Sequence, residues 1–326
     1  MSKIFHREII FNDPRKTWEK YKEAPHFFNF PERITVEITN RCNLRCFMCP
    51  RNTIDMKLGD MELEIFKKII DEASRFLPVC LVPFFRGESL LHPQFIEMIT
   101  FAKTKGLKPI QMATNAYFLS SEISRSILDL EVDFISFSVD VNQPEIYRKI
   151  RKNSDFERVF SNILYFLEER KKRNLILPEI QVSAVKTEEN SPFMRDFVRF
   201  WEDKVDRVRI YYEHSLDGKL GHLPAEGEEV KREPCLKILT DMVIYWNGDV
   251  AICNHDWQRD IFIGNVEHDS IEDIWKNKIY NKIRQSHLGN SLEEISPCNY
   301  CSHWEMYYRD NYIIGEVYEK NEVSPN

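Results

Sequence analysis

From Ile34 to Tyr212 the chain exchanges short apolar runs with amphipathic stretches. Ile34–Ile38, Val79–Phe85, Lys108–Ala113, Phe134–Val139, Glu179–Val185 and Val208–Tyr212 have the length and side-chain content of strands. Between them, Met61–Phe76, Pro93–Lys105, Ser121–Leu130, Phe156–Lys172 and Pro192–Trp201 are predicted helices. In the first of these, Ile65, Ile69, Ile70 and Phe76 carry the helical apolar spacing. Pro93 opens its helix, where a missing N–H costs nothing. Such alternation, about six units, predicts an α/β fold with a parallel sheet covered by helices. An open doubly wound sheet and a partial barrel give the same pattern. In both, functional groups belong at the carboxyl ends of the strands.

The pattern changes after Tyr212. Gly218 to Gly227 is a Gly-rich charged loop. Two apolar runs follow, Leu239–Trp246 and Val250–Cys253, joined by Asn247-Gly248, a strong hairpin signal. A helix is expected over Ser270–His287. This reading divides the chain into an extension (1–30), a larger α/β domain (31–215), a linker loop (216–233) and a small α+β unit (234–326). The last is too small to be stable without a metal staple. The extension, with Trp18, Tyr21, Phe27, Phe28 and Phe30, is expected to pack outside the main domain and is given no chemistry.

Composition narrows the classes. Net charge is -7, and no long basic block offers a nucleic acid a footing. No apolar stretch is long enough to span a bilayer, and the first thirty residues lack a signal-peptide core. The expectation is a cytoplasmic protein with no nucleic-acid or membrane partner. There are 8 cysteines, which in a reducing compartment point to metal rather than disulfides. Cys42, Cys46 and Cys49 form one group and Cys235, Cys253, Cys298 and Cys301 another; Cys80 stands apart.

The first group is a C-x3-C-x2-C set on the loop after the first strand. Three thiolates can wrap one face of a four-iron cluster and leave one iron open. A zinc site completed by a histidine is the alternative, although zinc favours C-x2-C pairs. This spacing, with Phe47 before the last cysteine, resembles the radical S-adenosylmethionine superfamily. Three segments extend the resemblance in order. Phe85-Arg86-Gly87-Glu88 is similar to the family's Gly-Gly-Glu motif, with Arg86 in the first Gly place. Ala113-Thr114-Asn115 ends the third strand, with Ala116 where Gly is usual. Ser136-Phe137-Ser138-Val139-Asp140 ends the fourth, followed by Tyr147 and Arg151. The resemblance implies a partial (β/α)6 TIM-like barrel holding a [4Fe-4S] cluster with one open iron. It implies S-adenosylmethionine contacts at Gly87, Glu88, Asn115, Ser138, Arg151 and Asn190. It also implies an electron donor such as flavodoxin or ferredoxin, and reductive cleavage to a 5′-deoxyadenosyl radical that abstracts a substrate hydrogen.

The second group suits a fully ligated four-iron cluster or structural zinc. Its setting (Ile263-Gly264-Asn265-Val266, Ile274-Trp275, Ile283-Arg284, His287) resembles the SPASM or shortened twitch auxiliary-cluster domain. With four cysteines, one auxiliary [4Fe-4S] cluster is implied. Full ligation leaves no iron for substrate and favours electron transfer, with a purely structural cluster as the alternative. Tyr212, Glu213 and Cys80 are the candidate catalytic residues; Tyr211 and His214 share the sixth strand's end. Cys80, among apolar neighbours, reads more simply as a small hydrophobe. The leading expectation is two-electron oxidation of a small polar substrate, a sugar or aminocyclitol. Peptide maturation, epimerisation using Cys80, and a zinc-stapled binding protein are the alternatives.

Overall fold

A computed structural model describes residues 13–212, 231–301, 303–308 and 316–319. The chain opens with α1 (Pro14–Glu23), β1 (Arg33–Val36), α2 (Leu63–Ala73), β2 (Cys80–Val82) and α3 (Phe95–Thr104). It continues through β3 (Gln111–Thr114), α4 (Ser121–Asp129), β4 (Phe134–Ser138), α5 (Pro144–Ile150) and α6 (Phe156–Lys172). Then come β5 (Glu179–Lys186), α7 (Met194–Trp201), β6 (Arg207–Tyr212), α8 (Lys237–Thr240) and β7 (Asp241–Ile244). Last are β8 (Val250–Ala251), α9 (Ile271–Lys276), α10 (Lys278–Gly289) and β9 (Glu316–Glu319). The alternation expected between residues 34 and 212 is present, with the strand expected over Val79–Phe85 shortened to three residues.

Two compact units result, and they interleave in sequence. One holds the described parts of Met1–Arg41, Ile54–Ile110 and Ala225–Tyr312; the other holds those of Cys42–Thr53, Gln111–Pro224 and Ile313–Asn326.

In the first unit the sheet order is β2-β1-β7-β8. Strand β1 pairs in parallel with β2 (Ile34 with Leu81) and with β7 (Ile34 with Met242). Met242, Val243 and Ile244 are all buried, and such a continuous apolar run suits a central parallel strand. The Asn247-Gly248 turn is present: Gly248 has φ +81, where glycine carries no steric cost, and β8 returns antiparallel. The helix expected over Ser270–His287 is two helices. Asn277 ends α9 in extended backbone and caps α10, its side chain accepting from Ile279 N and Tyr280 N. The described part of the N-terminal extension, from Asp13, belongs to the first unit and packs against residues of the C-terminal segment. Asp13 caps α1, and Trp18 and Tyr21 are buried with Phe28 and Leu239. Trp18 Nε1 donates to Pro234 O (3.2 Å), beside Cys235.

In the second unit the order is β3-β4-β5-β6-β9, parallel except for β9. Ile135, Phe137, Ile180, Val182, Ala184, Val208 and Ile210 are buried on one face. Helix α6 covers it, Phe137 meeting Phe166 edge to face at 5.4 Å. Ser136, Ser138, Glu179, Gln181, Ser183, Arg207 and Arg209 alternate with these and give the other face its polar groups, beside Phe134 and Val185. Among the described residues no helix is long and apolar enough to cross a membrane.

Candidate functional site

The three-cysteine loop lies in the second unit and is held by its own backbone. Arg45 N donates to Lys152 O (3.0 Å) and Phe47 N to Ile150 O (3.1 Å), tying the loop to the end of α5. Asn115, just after β3, donates to Asn43 Oδ1 (3.0 Å), and its Nδ2 is 4.0 Å from Cys42 Sγ. Asp140, two residues beyond β4, has φ 72 and is 1% exposed. Its carboxylate accepts from Arg151 Nε (2.7 Å) and Val185 N (2.8 Å). Burial disfavours the Arg151 charge, but Asp140 and Cys46 outweigh it and raise its pKa. Burial pushes the Cys46 thiol up to about 12, with Arg151 opposing and Asp140, Cys49 and Cys42 adding to the rise. Cys49 is also raised by burial. Sequence reasoning did not single out Asp140 as the residue that aims Arg151; an acid at a strand end ahead of a helix ending in Arg was the available signal.

Asn190 is placed differently from its expected role. Its Nδ2 donates to Asp140 O (3.1 Å) and Val185 O (2.8 Å), and its Oδ1 accepts from Thr187 N (2.8 Å). Both amide hydrogens are spent closing the loop after β5, so Asn190 acts on the backbone that holds Asp140.

Gly87 and Glu88 lie in the first unit, where the segment runs backbone to backbone with residues 39–41. Glu88 N donates to Arg41 O (2.8 Å). A Cβ on Gly87 would sit 2.2 Å from Thr39 O and 2.7 Å from Arg41 O. Gly87→Ala is therefore expected to destabilise the protein by at least about 2 kcal/mol, read as a lower unfolding midpoint. Arg86 explains the departure from a second glycine. It donates from Nε and Nη2 to both oxygens of Glu37 (2.6 and 2.8 Å) and from Nη1 to Trp257 O (2.7 Å). Its guanidinium lies 3.9 Å from the centre of the Tyr245 ring. The side chains of the ion pair are 6% and 0% exposed. Glu37→Gln leaves a buried cation half-paired, and a loss of about 3 kcal/mol in denaturant unfolding is expected.

Cys235, Cys253, Cys298 and Cys301 line one cavity, with Arg232, Lys237, His255, His287 and His303 in its wall. Backbone amides of His255 and His303 donate to the sulfurs of Cys253 and Cys301 (3.3 Å each). Arg232 donates to the carbonyls of Cys301 (2.6 Å) and Cys298 (3.1 Å). Burial pushes Cys235 up to about 12 and raises the other three, neighbouring thiols adding to the effect for Cys253 and Cys298. Among the described residues, no group of three or more His, Cys, Asp or Glu is drawn around one point for a single metal ion; these four thiols surround a cavity instead.

Iron–sulfur clusters fit both cysteine sets. Buried thiols with raised pKa values become ligands when a metal displaces their protons. Orphaned donors point the same way. Asn43 Nδ2 is buried beside Cys42 without a hydrogen-bond partner, as are Arg232 Nε and His287 Nε2 in the four-cysteine cavity. His287 Nδ1 accepts from Cys235 N (3.3 Å), so the ring proton sits on Nε2. Cluster sulfurs would satisfy these donors.

Of the candidate catalytic residues, Glu213 and His214 lie outside the described residues, as does the side chain of Tyr212. Cys80 is the first residue of β2, 1% exposed, 3.9 Å from Arg33 Nη1, at the strand end away from Gly87 and Glu88.

Comparison with known proteins agrees with this chemistry. The radical SAM superfamily model matches residues 36–178, and the iron–sulfur cluster-binding SPASM domain model matches residues 235–302. Residues 36–178 are thus a radical SAM domain and residues 235–302 a SPASM domain, with S-adenosylmethionine, a [4Fe-4S] cluster and auxiliary iron–sulfur as the cofactors. It is 28% identical over 296 residues to the tungsten-containing aldehyde ferredoxin oxidoreductase cofactor-modifying protein of Pyrococcus furiosus, covering 77% of this chain and 82% of that one. It is 28% identical over 170 residues to a probable GTP 3′,8-cyclase of Methanocaldococcus jannaschii, covering 52% of this chain and 55% of the cyclase. Two solved structures share the fold at 16% identity. BtrN in complex with AdoMet and 2-DOIA has a TM-score of 0.57, covering 83% of this chain and 93% of BtrN. Streptococcus suis SuiB bound to precursor peptide SuiA has a TM-score of 0.64, covering 83% of this chain and 71% of SuiB. The α/β class, parallel strands and TIM-like relationship are thus as expected, and iron–sulfur replaces the zinc alternative.

Proposed function

We propose that this enzyme removes a hydrogen atom, and then an electron and a proton, from a small polar substrate, a net two-electron oxidation in which the proton passes to solvent. The observation that carries the reading is the convergence of four thiols on one cavity, a complete ligand set that leaves no iron for substrate. Two relatives support a small-molecule substrate, one named for modifying a cofactor and one for cyclising GTP.

In this reading Cys42, Cys46 and Cys49 hold the first cluster, and Cys235, Cys253, Cys298 and Cys301 hold the second. When bound, these groups and S-adenosylmethionine supply a 5′-deoxyadenosyl radical and, at the second cluster, an electron acceptor. The chain supplies orientation. Arg151, aimed by Asp140, offers a cation to the methionine carboxylate. Gly87 gives backbone access and Glu88 a carboxylate for the methionine amine. Asn115 and Ser138 stand at strand ends on the side of the three-cysteine loop. Reductant arrives from a small electron carrier of the flavodoxin or ferredoxin type.

The test is anaerobic turnover with candidate substrates deuterated at carbon. Deuterium should appear in 5′-deoxyadenosine, and the product should be lighter by two hydrogen atoms. Iron should be about eight atoms per chain. A product that has only exchanged the abstracted deuterium for hydrogen, with no further hydrogen lost, would sink the oxidation reading and favour epimerisation. The SuiB complex gives peptide maturation its support; a substrate peptide turned over faster than every small molecule would replace this reading.

A further inference from the structure

The face of the β4–β6 sheet turned away from its helices carries a positive charge with no carboxylate partner among the described residues. By register, Ser136 pairs with Gln181, Ser138 with Ser183, and Ser183 with Arg209, so these residues share that face. They form a connected polar surface. Gln181 Nε2 donates to Ser136 Oγ (2.9 Å) and, more weakly, to Tyr211 OH (3.4 Å), and Ser136 Oγ donates to Ser183 Oγ (3.3 Å).

Two arginines stand on the β6 part of this face, and they differ. Arg207 is neutralised by Glu179 at 2.6 Å. Arg209 has no carboxylate partner among the described residues, and its Nε is buried without a hydrogen bond. The Tyr211 ring lies 5.2 Å away. Burial lowers its pKa, Arg207 lowers it further, and Tyr211 opposes. A part-buried guanidinium without a counter-ion is a costly arrangement. Planar N–H groups of this kind are well matched to an oxyanion.

We infer that Arg209 is the substrate's anchor: it binds an oxyanion, phosphate or carboxylate, at one end of a small polyhydroxy substrate, and Gln181, Ser183 and Tyr211 flank it. Arg209 lies two strands across from Ser138, about 10 Å at ordinary strand spacing. That span fits a small molecule held by its anion at β6 with a carbon presented toward the carboxyl end of β4. The inference rests on the small-substrate reading above and sharpens it. A cationic aminocyclitol is disfavoured beside Arg209; a sugar phosphate or sugar acid is favoured.

The test is calorimetric binding to the reconstituted holoenzyme with S-adenosylmethionine present. The probes are ribose 5-phosphate, gluconate, ribose and glucosamine. At least one anionic probe should bind about tenfold or more tighter than ribose, with glucosamine weakest, and which anion binds separates phosphate from carboxylate. Arg209→Met should remove the preference, costing tenfold or more in Kd, the scale of a charged hydrogen bond. Arg207→Gln should keep it. Iron content and circular dichroism check each variant; if Arg209→Met does not fold, Arg209→Lys, expected to bind severalfold more weakly, carries the test. Equal binding of charged and neutral probes, or a preference surviving in the Arg209 variant, overturns the inference. An anion preference without an oxidised product would instead sink the oxidation reading and leave this site standing.

Discussion

Cys46→Ala is expected to abolish 5′-deoxyadenosine formation, by on the order of a thousandfold or more, because the radical source needs all three thiolates. Cys46 is the most telling of the three. It sits beside the Asp140–Arg151 pair, and burial raises its thiol until a metal displaces the proton. Iron should fall by about four atoms per chain, while the four-cysteine site keeps its own. Thermal stability should change little, since the loop is tied by backbone bonds from Arg45 and Phe47. Iron analysis, the electron paramagnetic signal of the reduced protein with S-adenosylmethionine, and product chromatography together decide it. A variant that keeps more than a tenth of the wild-type 5′-deoxyadenosine would remove Cys46 from the ligand set.

Cys301→Ser gives the second large effect, of a different kind. Iron should again fall by about four atoms, but 5′-deoxyadenosine should still form. Oxidised product should be lost, because hydrogen abstraction is uncoupled from electron removal. Unfolding should also come earlier, since Cys235, Cys253, Cys298, Cys301, Arg232 and His287 line one cavity whose cluster would hold them together. If product formed at the wild-type rate with half the iron gone, the second cluster would be a structural staple only. That outcome would leave the first site untouched and redirect attention to oxidation-neutral reactions.

The two variants separate what was legible in the chain from what was not. Cys42, Cys46 and Cys49 are readable because their spacing is a local property of a loop after a strand. Gly248 is readable for the same reason: Asn-Gly between apolar runs demands a left-handed turn, and φ is +81 there. Less local features were missed. The break at Asn277 was hidden because apolar spacing continues across it, and only the capping bonds to Ile279 and Tyr280 show where one helix stops. Asn190 looked like a free polar group after a strand, and its amide proved to be spent on Asp140, Val185 and Thr187. Arg86 looked like a tolerated substitution for glycine; its partners, Glu37 and Trp257, lie 49 and 171 residues away.

The sequence alone determined the class of chemistry, the strand–helix alternation from Ile34 to Tyr212 and the grouping of seven cysteines into two sets, because thiolate spacing and side-chain periodicity act over a few residues. The tertiary structure decided the partnerships. It paired β7 with β1, set α1 beside Pro234, aimed Arg151 with Asp140, and placed Arg209 on the sheet face of Ser183 and Gln181. The physical reason is that an apolar run fits many sheets and a charge fits many partners. Which one is taken depends on packing and desolvation across the whole chain.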